Sequence, residues 1–283
     1  MPGYLPILSH YQAAPLIAAR GSDVTELSTT LDFGLSTVMA TLSADGVTFS
    51  DGLLLTWAQL EDIADDSNGC FVVEGDDLRK VQAFSEVTNR ACSLYPTPGP
   101  PTLLVGGFPM HRIKDTDPGK DTRSKIKALG RVSGRVLDTN TGLGYTAIAL
   151  SQYAEHVTTV ELDPAVIKVG RDNPHSRGLY TNGNITQVMG DSFDVVEDQD
   201  DEAFDRVLHD PPTYQLAGHL YSREFYEEVR RVLKRGGRMF HYIGDPDSKQ
   251  GARVTRGVVK RLGEAGFKKV QPRPRAYGVV AFK

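Results

Sequence analysis

Hydrophobic and polar residues alternate differently in the two parts of the chain. Over the first 105 or so residues, short apolar runs are separated by turn-forming glycines and acids. Residues 37–42 and 47–49 flank Ser43-Ala44-Asp45-Gly46, which predicts a hairpin. Residues 70–74 and 78–85 flank Gly75-Asp76-Asp77 in the same way. Residues 57–64 carry Trp57, Leu60 and Ala64 at helical spacing, with Thr56 as the expected N-cap. The proline-rich run 95–101 reads as a stiff turn, and residues 103–108 as a last strand.

From Pro118 onward strands alternate with helices. A basic helix is predicted over 122–129, then strands over 135–138, 156–161, 185–189, 204–209 and 238–243. The intervening helices are predicted over 144–153, 164–172, 223–233 and 251–265, the last ending at Gly266. Lys234-Arg235-Gly236-Gly237 reads as the basic last turn and glycine cap of the third of these. Two short strands near Val270 and Val279 finish the chain. The order predicts an α/β fold: a doubly wound, mostly parallel, Rossmann-like seven-stranded sheet behind a smaller β-rich N-terminal domain. The expected bounds are 1–107 for that domain and 108–283 for the sheet domain. Ligands belong at the carboxyl ends of the strands.

Composition narrows the partners. With 40% hydrophobic and 24% charged residues, the chain reads as a soluble globular protein. No apolar run approaches the ~20 residues that span a bilayer, and the start lacks a basic region ahead of an apolar core. Cytoplasmic residence without membrane contact is therefore expected. Cys70 and Cys92 form no C-x-x-C pattern and read as buried thiols, with a disulfide between them as the competing reading. The soft ligands are too few for zinc, so no metal is expected. The net charge of -4 hides an asymmetry: residues 1–107 hold 13 acids against Arg20, Arg79, Lys80 and Arg90. The remainder is mildly basic, but its bases lie among acids along helices, so there is no nucleic-acid signature.

The chemistry gathers at strand ends. In residues 135–146 an apolar strand ends in Asp138, then turns through Gly142 and Gly144 into a helix. The glycines let backbone approach a ligand, and the helix start favours electronegative groups. Taken alone this turn fits NAD, FAD, S-adenosylmethionine or no ligand. Glu161 ends the second strand, 23 residues beyond Asp138, where an acid accepts ribose hydroxyls. Asp191 follows the third strand, placed for an adenine amino group, and Asp210-Pro-Pro follows the fourth. Ligand contacts are expected from Asp138, Thr139, Asn140, Gly142, Gly144, Tyr145, Thr146, Glu161, Leu162, Asp191, Ser192 and Asp210.

Asp210, His209 and Tyr214 are the expected catalytic residues. An acid held by two rigid prolines can accept hydrogen bonds from an amine and aim its lone pair at an electrophile. His209 and His241 are candidate proton acceptors or pocket residues; the competing reading of each is a hydrogen-bonded core histidine. His111, Arg112, Tyr214, His219, Tyr221 and His241 are the expected substrate contacts.

These stations resemble the class I S-adenosylmethionine-dependent methyltransferase superfamily over residues of roughly 110–283. More narrowly, VLDTNTGLGYTAI, VELDP, HDPPTY, LYSREFYEEVRRVLKRGGRMFHYIG and PMHRIK resemble predicted archaeal-type methyltransferases described as spermine-synthase-like. The resemblance implies a methyltransferase-type fold and S-adenosyl-L-methionine as cofactor. Superfamily members often carry a glycine where Asn140 stands. The motif also resembles the D/N-P-P-Y/F of amino-group methyltransferases, with Thr213 where an aromatic ring is usual and Tyr214 one position later.

The first reading is methyl transfer to the nitrogen of a small or macromolecular amine. The alternative is aminopropyl transfer from decarboxylated S-adenosylmethionine to a polyamine, which suits the acidic front half. A third reading is a cofactor-binding scaffold without catalysis. The N-terminal domain is a candidate for substrate binding, for covering the site or for homodimer formation through a strand edge.

Overall fold

Strands with apolar residues at consecutive positions must be covered on both faces. The computed structural model, which describes residues 5–283, meets that demand with a sheet of seven strands. They are β1 (Arg135–Asp138), β2 (His156–Glu161), β3 (Ile185–Met189), β4 (Phe204–His209), β5 (Leu233–Tyr242), β6 (Lys269–Arg273) and β7 (Gly278–Phe282). The order across the sheet is β3-β2-β1-β4-β5-β7-β6. The first five of these are mutually parallel, and β7 runs antiparallel to both neighbours.

Successive residues of one strand enter different cores. Leu137, Val207 and Met239 pack with Val196, Phe225, Val229 and Val258 from helices Ser192–Glu197, Arg223–Val232 and Lys249–Glu264. Val136, Leu208 and Phe240 pack with Leu129, Ala147 and Leu150 from helices Pro118–Leu129 and Tyr145–Ser151. This is the pleat of strands buried on both sides. The expected fold holds, and the sheet reverses its winding between β1 and β4, where ligands of such sheets bind.

The chain divides into two compact units, one running to Gly119 and including Ala165–Arg177, the other formed by Lys120–Pro164 and Gly178–Lys283. The first unit holds one three-stranded and two four-stranded antiparallel sheets. Its core is built from Leu8, Leu16, Ala40, Phe49, Trp57 and Leu60 among others. The segment Ala165–Arg177 is held there by Arg79, whose guanidinium meets Asp172 at 2.8 and 3.2 Å, and by His175 Nε2, 3.1 Å from the Phe33 carbonyl. Cys70 and Cys92 are both buried thiols. Among the described residues no helix is long and apolar enough to cross a membrane.

Several local expectations need correction. A helix, His10–Ala19, occupies a segment left unassigned by the sequence pattern. Pro15 obscures it, but a capping box between Ser9 and Gln12 and the burial of Ala13 and Leu16 outweigh the proline. The run 78–85 divides, because Asp77–Lys80 pairs with Phe71–Glu74 whereas Gln82–Ser85 pairs with Arg90–Tyr95. The last strand divides too, into Thr102–Val105 and Phe108–Pro109, at the left-handed pair Gly106 and Gly107. Lys234–Gly237 is not a helix cap. The helix ends at Val232 and β5 begins at Leu233; Gly236, at φ +77°, serves a bulge where Phe204 pairs with Leu233 and Arg206 with Arg238.

Thr56 caps the helix Trp57–Asp65, as the pattern predicts, and Gln59 completes a capping box. Thr56→Ala removes half of that box and should cost about 1 kcal/mol. Amide hydrogen exchange across this helix should accelerate by roughly fivefold; unchanged exchange would contradict the cap.

Candidate active site

Parallel pairing lays the ends of β1, β2 and β4 side by side, with Asp138 opposite Thr159 on one flank and Leu208 on the other. The turn after β1 closes on Glu161. Its Oε2 accepts the Gly142 N–H at 2.9 Å and its Oε1 the Asp163 N–H at 3.0 Å. Gly142 has φ +54°, and a Cβ there would point into open space, so glycine is needed for the backbone and not for clearance. Gly144, at φ +77°, lies close under Leu179, where a Cβ would come within 3.0 Å. Burial pushes the Glu161 carboxyl up to about 7, against the lowering effect of the two backbone donors. Each oxygen of a carboxylate accepts more than one hydrogen bond, so this acid is suited to ribose hydroxyls.

Several expected ligand contacts also hold the turn together. Asp138 is 0% exposed; its Oδ2 accepts Thr146 Oγ1 at 2.9 Å and Thr159 Oγ1 at 3.1 Å. Burial raises its carboxyl to about 8, and Oδ1 has no hydrogen-bond partner. Thr139 meets both Asn140 Oδ1 and His209 Nδ1 at 2.7 Å, and Ser192 Oγ donates to the Thr139 carbonyl. Tyr145 is buried at the start of its helix, whereas Leu162 is exposed. Asp191 caps the helix Ser192–Glu197 through Oδ1, and its Oδ2 lies 2.9 Å from His219 Nε2. His219 thus faces the same acid that was assigned to adenine.

Asp210 follows β4, and its Oδ2 lies 2.6 Å from Lys125 Nζ. Lys125 is 1% exposed, also meets Asp121 at 2.8 Å, and lies 4.5 Å from the Tyr242 ring centroid. Burial alone would lower the Lys125 ammonium, but Asp210 and Asp121 outweigh it and hold it above its ordinary value. Sequence reasoning missed Lys125 and Asp121. The only signal was their i,i+4 spacing on a helix, which usually marks a solvated pair.

Both histidines, His209 and His241, take the reading of a hydrogen-bonded core residue, and the proton-acceptor reading falls. His209 is 0% exposed, with Nε2 at 3.0 Å from the Leu220 carbonyl and Nδ1 on Thr139 Oγ1. A carbonyl only accepts, so Nε2 carries the proton and Nδ1 accepts. Burial drives this ring down to about 3, leaving a neutral structural imidazole and no proton acceptor for catalysis. His241 is equally buried, bonded to the Tyr226 hydroxyl at 2.9 Å and lowered by burial, so it is a core residue and not a substrate contact. Tyr221 is also buried; its hydroxyl donates to the Pro212 carbonyl at 3.0 Å and so braces the Asp210-Pro-Pro loop. Tyr214, with 49% of its surface exposed, packs on Tyr221 with ring centroids 5.5 Å apart. His111 and Arg112 belong to the first unit, where His111 Nδ1 meets Thr102 Oγ1 at 2.9 Å. Among the described residues no group of three or more His, Cys, Asp or Glu is arranged to hold a metal.

The chain is similar to several known proteins. The spermine/spermidine synthase domain family matches residues 101–265. An uncharacterized protein of Methanocaldococcus jannaschii is 44% identical over 79% of this chain and 77% of its own length. Polyamine aminopropyltransferase 2 of Streptomyces coelicolor is 29% identical over 46% of this chain, and the match spans only 26% of that protein. Spermidine synthase from Thermotoga maritima shares the fold, at TM-score 0.56 and 16% identity over 71% of this chain and 70% of its own. A spermidine synthase in complex with the transition state analogue AdoDATO reaches TM-score 0.60 at 17% identity, over 71% of each chain.

These findings overturn two expectations, methyl transfer to nitrogen and S-adenosyl-L-methionine as cofactor. The matched family is the spermine/spermidine synthase domain, and relatives such as that of Streptomyces coelicolor are named polyamine aminopropyltransferases, whereas the match is to no methyltransferase family. The physical reason for the error is that strand-end acids recognise ribose and adenine, which both donors share. An acid presented to an amine serves either transfer. The coarser reading stands: this is a Rossmann-like transferase resembling the polyamine aminopropyltransferases.

The raised Asp138 carboxyl makes a test of the geometry. A raised acid favours folding fully below its unfolded pKa of 3.8, and that contribution declines as pH rises toward about 8. The buried neutral His209 and His241 add stability as pH rises to about 6.5, so the fall due to Asp138 should show between pH 6.5 and 8, and Asp138→Asn should flatten it. An unchanged slope in the variant would contradict the burial of this acid.

Proposed function

Because the chain belongs to the spermine/spermidine synthase domain family, we propose that it transfers an aminopropyl group from decarboxylated S-adenosylmethionine to an aliphatic amine. The observation that carries this reading is the Asp210 carboxylate, fixed by Lys125 at 2.6 Å beside the point where the sheet reverses. Glu161 takes the donor's ribose, and the turn through Gly142 and Gly144 lies against its adenosyl part. Loss of the carboxylate leaves the donor with a sulfonium and an ammonium and no compensating negative charge. The strand-end acids Glu161, Asp191 and Asp210 suit such a cation.

In the reaction the amine lone pair attacks the aminopropyl carbon bonded to sulfur. The C–N bond forms as the C–S bond breaks, and the sulfonium leaves as neutral methylthioadenosine. Positive charge grows on the acceptor nitrogen, which then gives up a proton. An ionised Asp210 accepts the amine N–H, orients the lone pair and stabilises the growing charge before passing the proton to solvent. Pro211 and Pro212 stiffen the backbone that presents it, and Tyr221 braces that backbone from behind.

The test is turnover of purified protein with decarboxylated S-adenosylmethionine and a set of di- and polyamines, read by mass spectrometry of product amine and methylthioadenosine. Aminopropylated amine should appear with this donor, and Asp210→Asn should lower kcat by about 100-fold or more. Absence of aminopropyl transfer by the wild-type protein, or an unaffected Asp210→Asn, would sink the proposal.

A further inference from the structure

Three arginines gather toward the amino ends of the central strands, away from the carboxyl ends that carry Asp210. Parallel pairing sets Arg206 on β4 directly beside Arg238 on β5, with Val136 of β1 on the other side of Arg206. Residues two apart on a strand share a face. Both arginines therefore lie on the face where Val136, Leu208 and Phe240 pack against Leu129. Just past Leu129 the chain turns through Gly130, at φ +83°, where a Cβ would come within 3.0 Å of the Arg238 guanidinium. Arg206 Nε at 2.9 Å and Arg238 Nη2 at 3.3 Å both donate to the Arg131 carbonyl, so two guanidiniums converge on one oxygen atom.

Like charges directly opposite on neighbouring strands destabilise a sheet. A helix carboxyl end favours a cation nearby, but one cation meets that need. Among the described residues no carboxylate forms an ion pair with Arg131, Arg206 or Arg238. Asp205, the acid that acts on Arg206, is already met by Lys234 Nζ at 2.7 Å and by the Arg135 N–H at 2.9 Å. Burial and then Arg238 press the Arg206 guanidinium below its ordinary value, and Arg131 adds to them against Asp205. Arg238 Nε is buried without a hydrogen-bond partner.

We propose that Arg131, Arg206 and Arg238 form a binding site for a phosphate group carried by a small molecule, separate from the transfer site. Guanidinium edges match phosphate oxygens in pairs, and a bound dianion neutralises the charge that the cluster concentrates. Arg206 uses Nε on the Arg131 carbonyl and Nη1 on the Asp205 carbonyl at 2.6 Å, which leaves Nη2 for a ligand. Arg238 keeps Nη1, and the exposed Arg131 side chain has no hydrogen bond among the described residues. The cluster is compact and not a stripe, so it suits one phosphate group better than a nucleic-acid backbone. It shares no residue with the aminopropyl-transfer reading and stands independently of it.

The experiment is calorimetric titration of the purified full chain with inorganic phosphate and with pyrophosphate, at an ionic strength held constant with sodium chloride, beside thermal unfolding in the same buffers. Pyrophosphate at several times its Kd should raise the thermal midpoint by about 2 °C or more over chloride alone. Arg206→Gln and Arg238→Gln should each weaken its binding about tenfold or more. Arg253→Gln, exposed on the helix Lys249–Glu264, should leave binding unchanged. If the Arg206 and Arg238 variants fail to fold, Arg131→Gln decides by the same loss. Wild-type protein that binds neither phosphate nor pyrophosphate, or binding indifferent to all three arginines, would overturn the proposal. So would binding of a single-stranded oligonucleotide without a response to either phosphate.

Discussion

A lysine with 1% exposure stays charged only where carboxylates surround it, and the site of this protein is organised around that requirement. Lys125 joins a helix on one face of the sheet to the loop after β4, through Asp210. The ion pair fixes the acid that the proposed reaction presents to the acceptor, and Asp121 meets the same ammonium from one turn earlier on the helix. Breaking such a buried network by removing one member leaves an uncompensated charge, which is why its members act as a unit.

Around this pair the sheet supplies a second layer of fixed polar groups. The turn after β1 is tied to β2 through Glu161, to the helix after it through Thr146 and Asp138, and to β4 through Thr139 and His209. Behind the Asp210 loop lies an aromatic and imidazole cluster of His209, His241, Tyr221, Tyr226 and Phe225. Its histidine rings lie 4.4 Å apart by centroid, and its neutral imidazoles bond to a carbonyl and to hydroxyls. Neutral rings of this kind fill a core at far lower electrostatic cost than charged ones, and His209 has both ring nitrogens engaged. The site is therefore pre-organised before any ligand arrives, which is where electrostatic catalysis gains most.

The fold and the strand-end acids were legible because each depends on local sequence. Alternating strands and helices from Pro118 set the sheet, and Asp138, Glu161, Asp191 and Asp210 each sit where an apolar run ends. What was not legible depends on long-range partners. Lys125 looks like any basic residue of an amphipathic helix until Asp210, 85 residues away, is seen beside it. His209 and His241 look like candidate bases until the Leu220 carbonyl and the Tyr226 hydroxyl are seen to engage them. Gly236 follows a helix as a cap would, yet it bends a strand, since the pairing of Phe204 with Leu233 is invisible to a local pattern. The transferred group is not legible for a related reason: strand-end acids suit a nucleoside, and the nucleoside is common to both donors.

The most direct test of the central claim is calorimetric titration of the wild-type protein with decarboxylated S-adenosylmethionine and, separately, with S-adenosylmethionine. An acidic site built for aminopropyl transfer should bind the decarboxylated donor at least about tenfold more tightly. Tighter binding of the carboxylated molecule would contradict it.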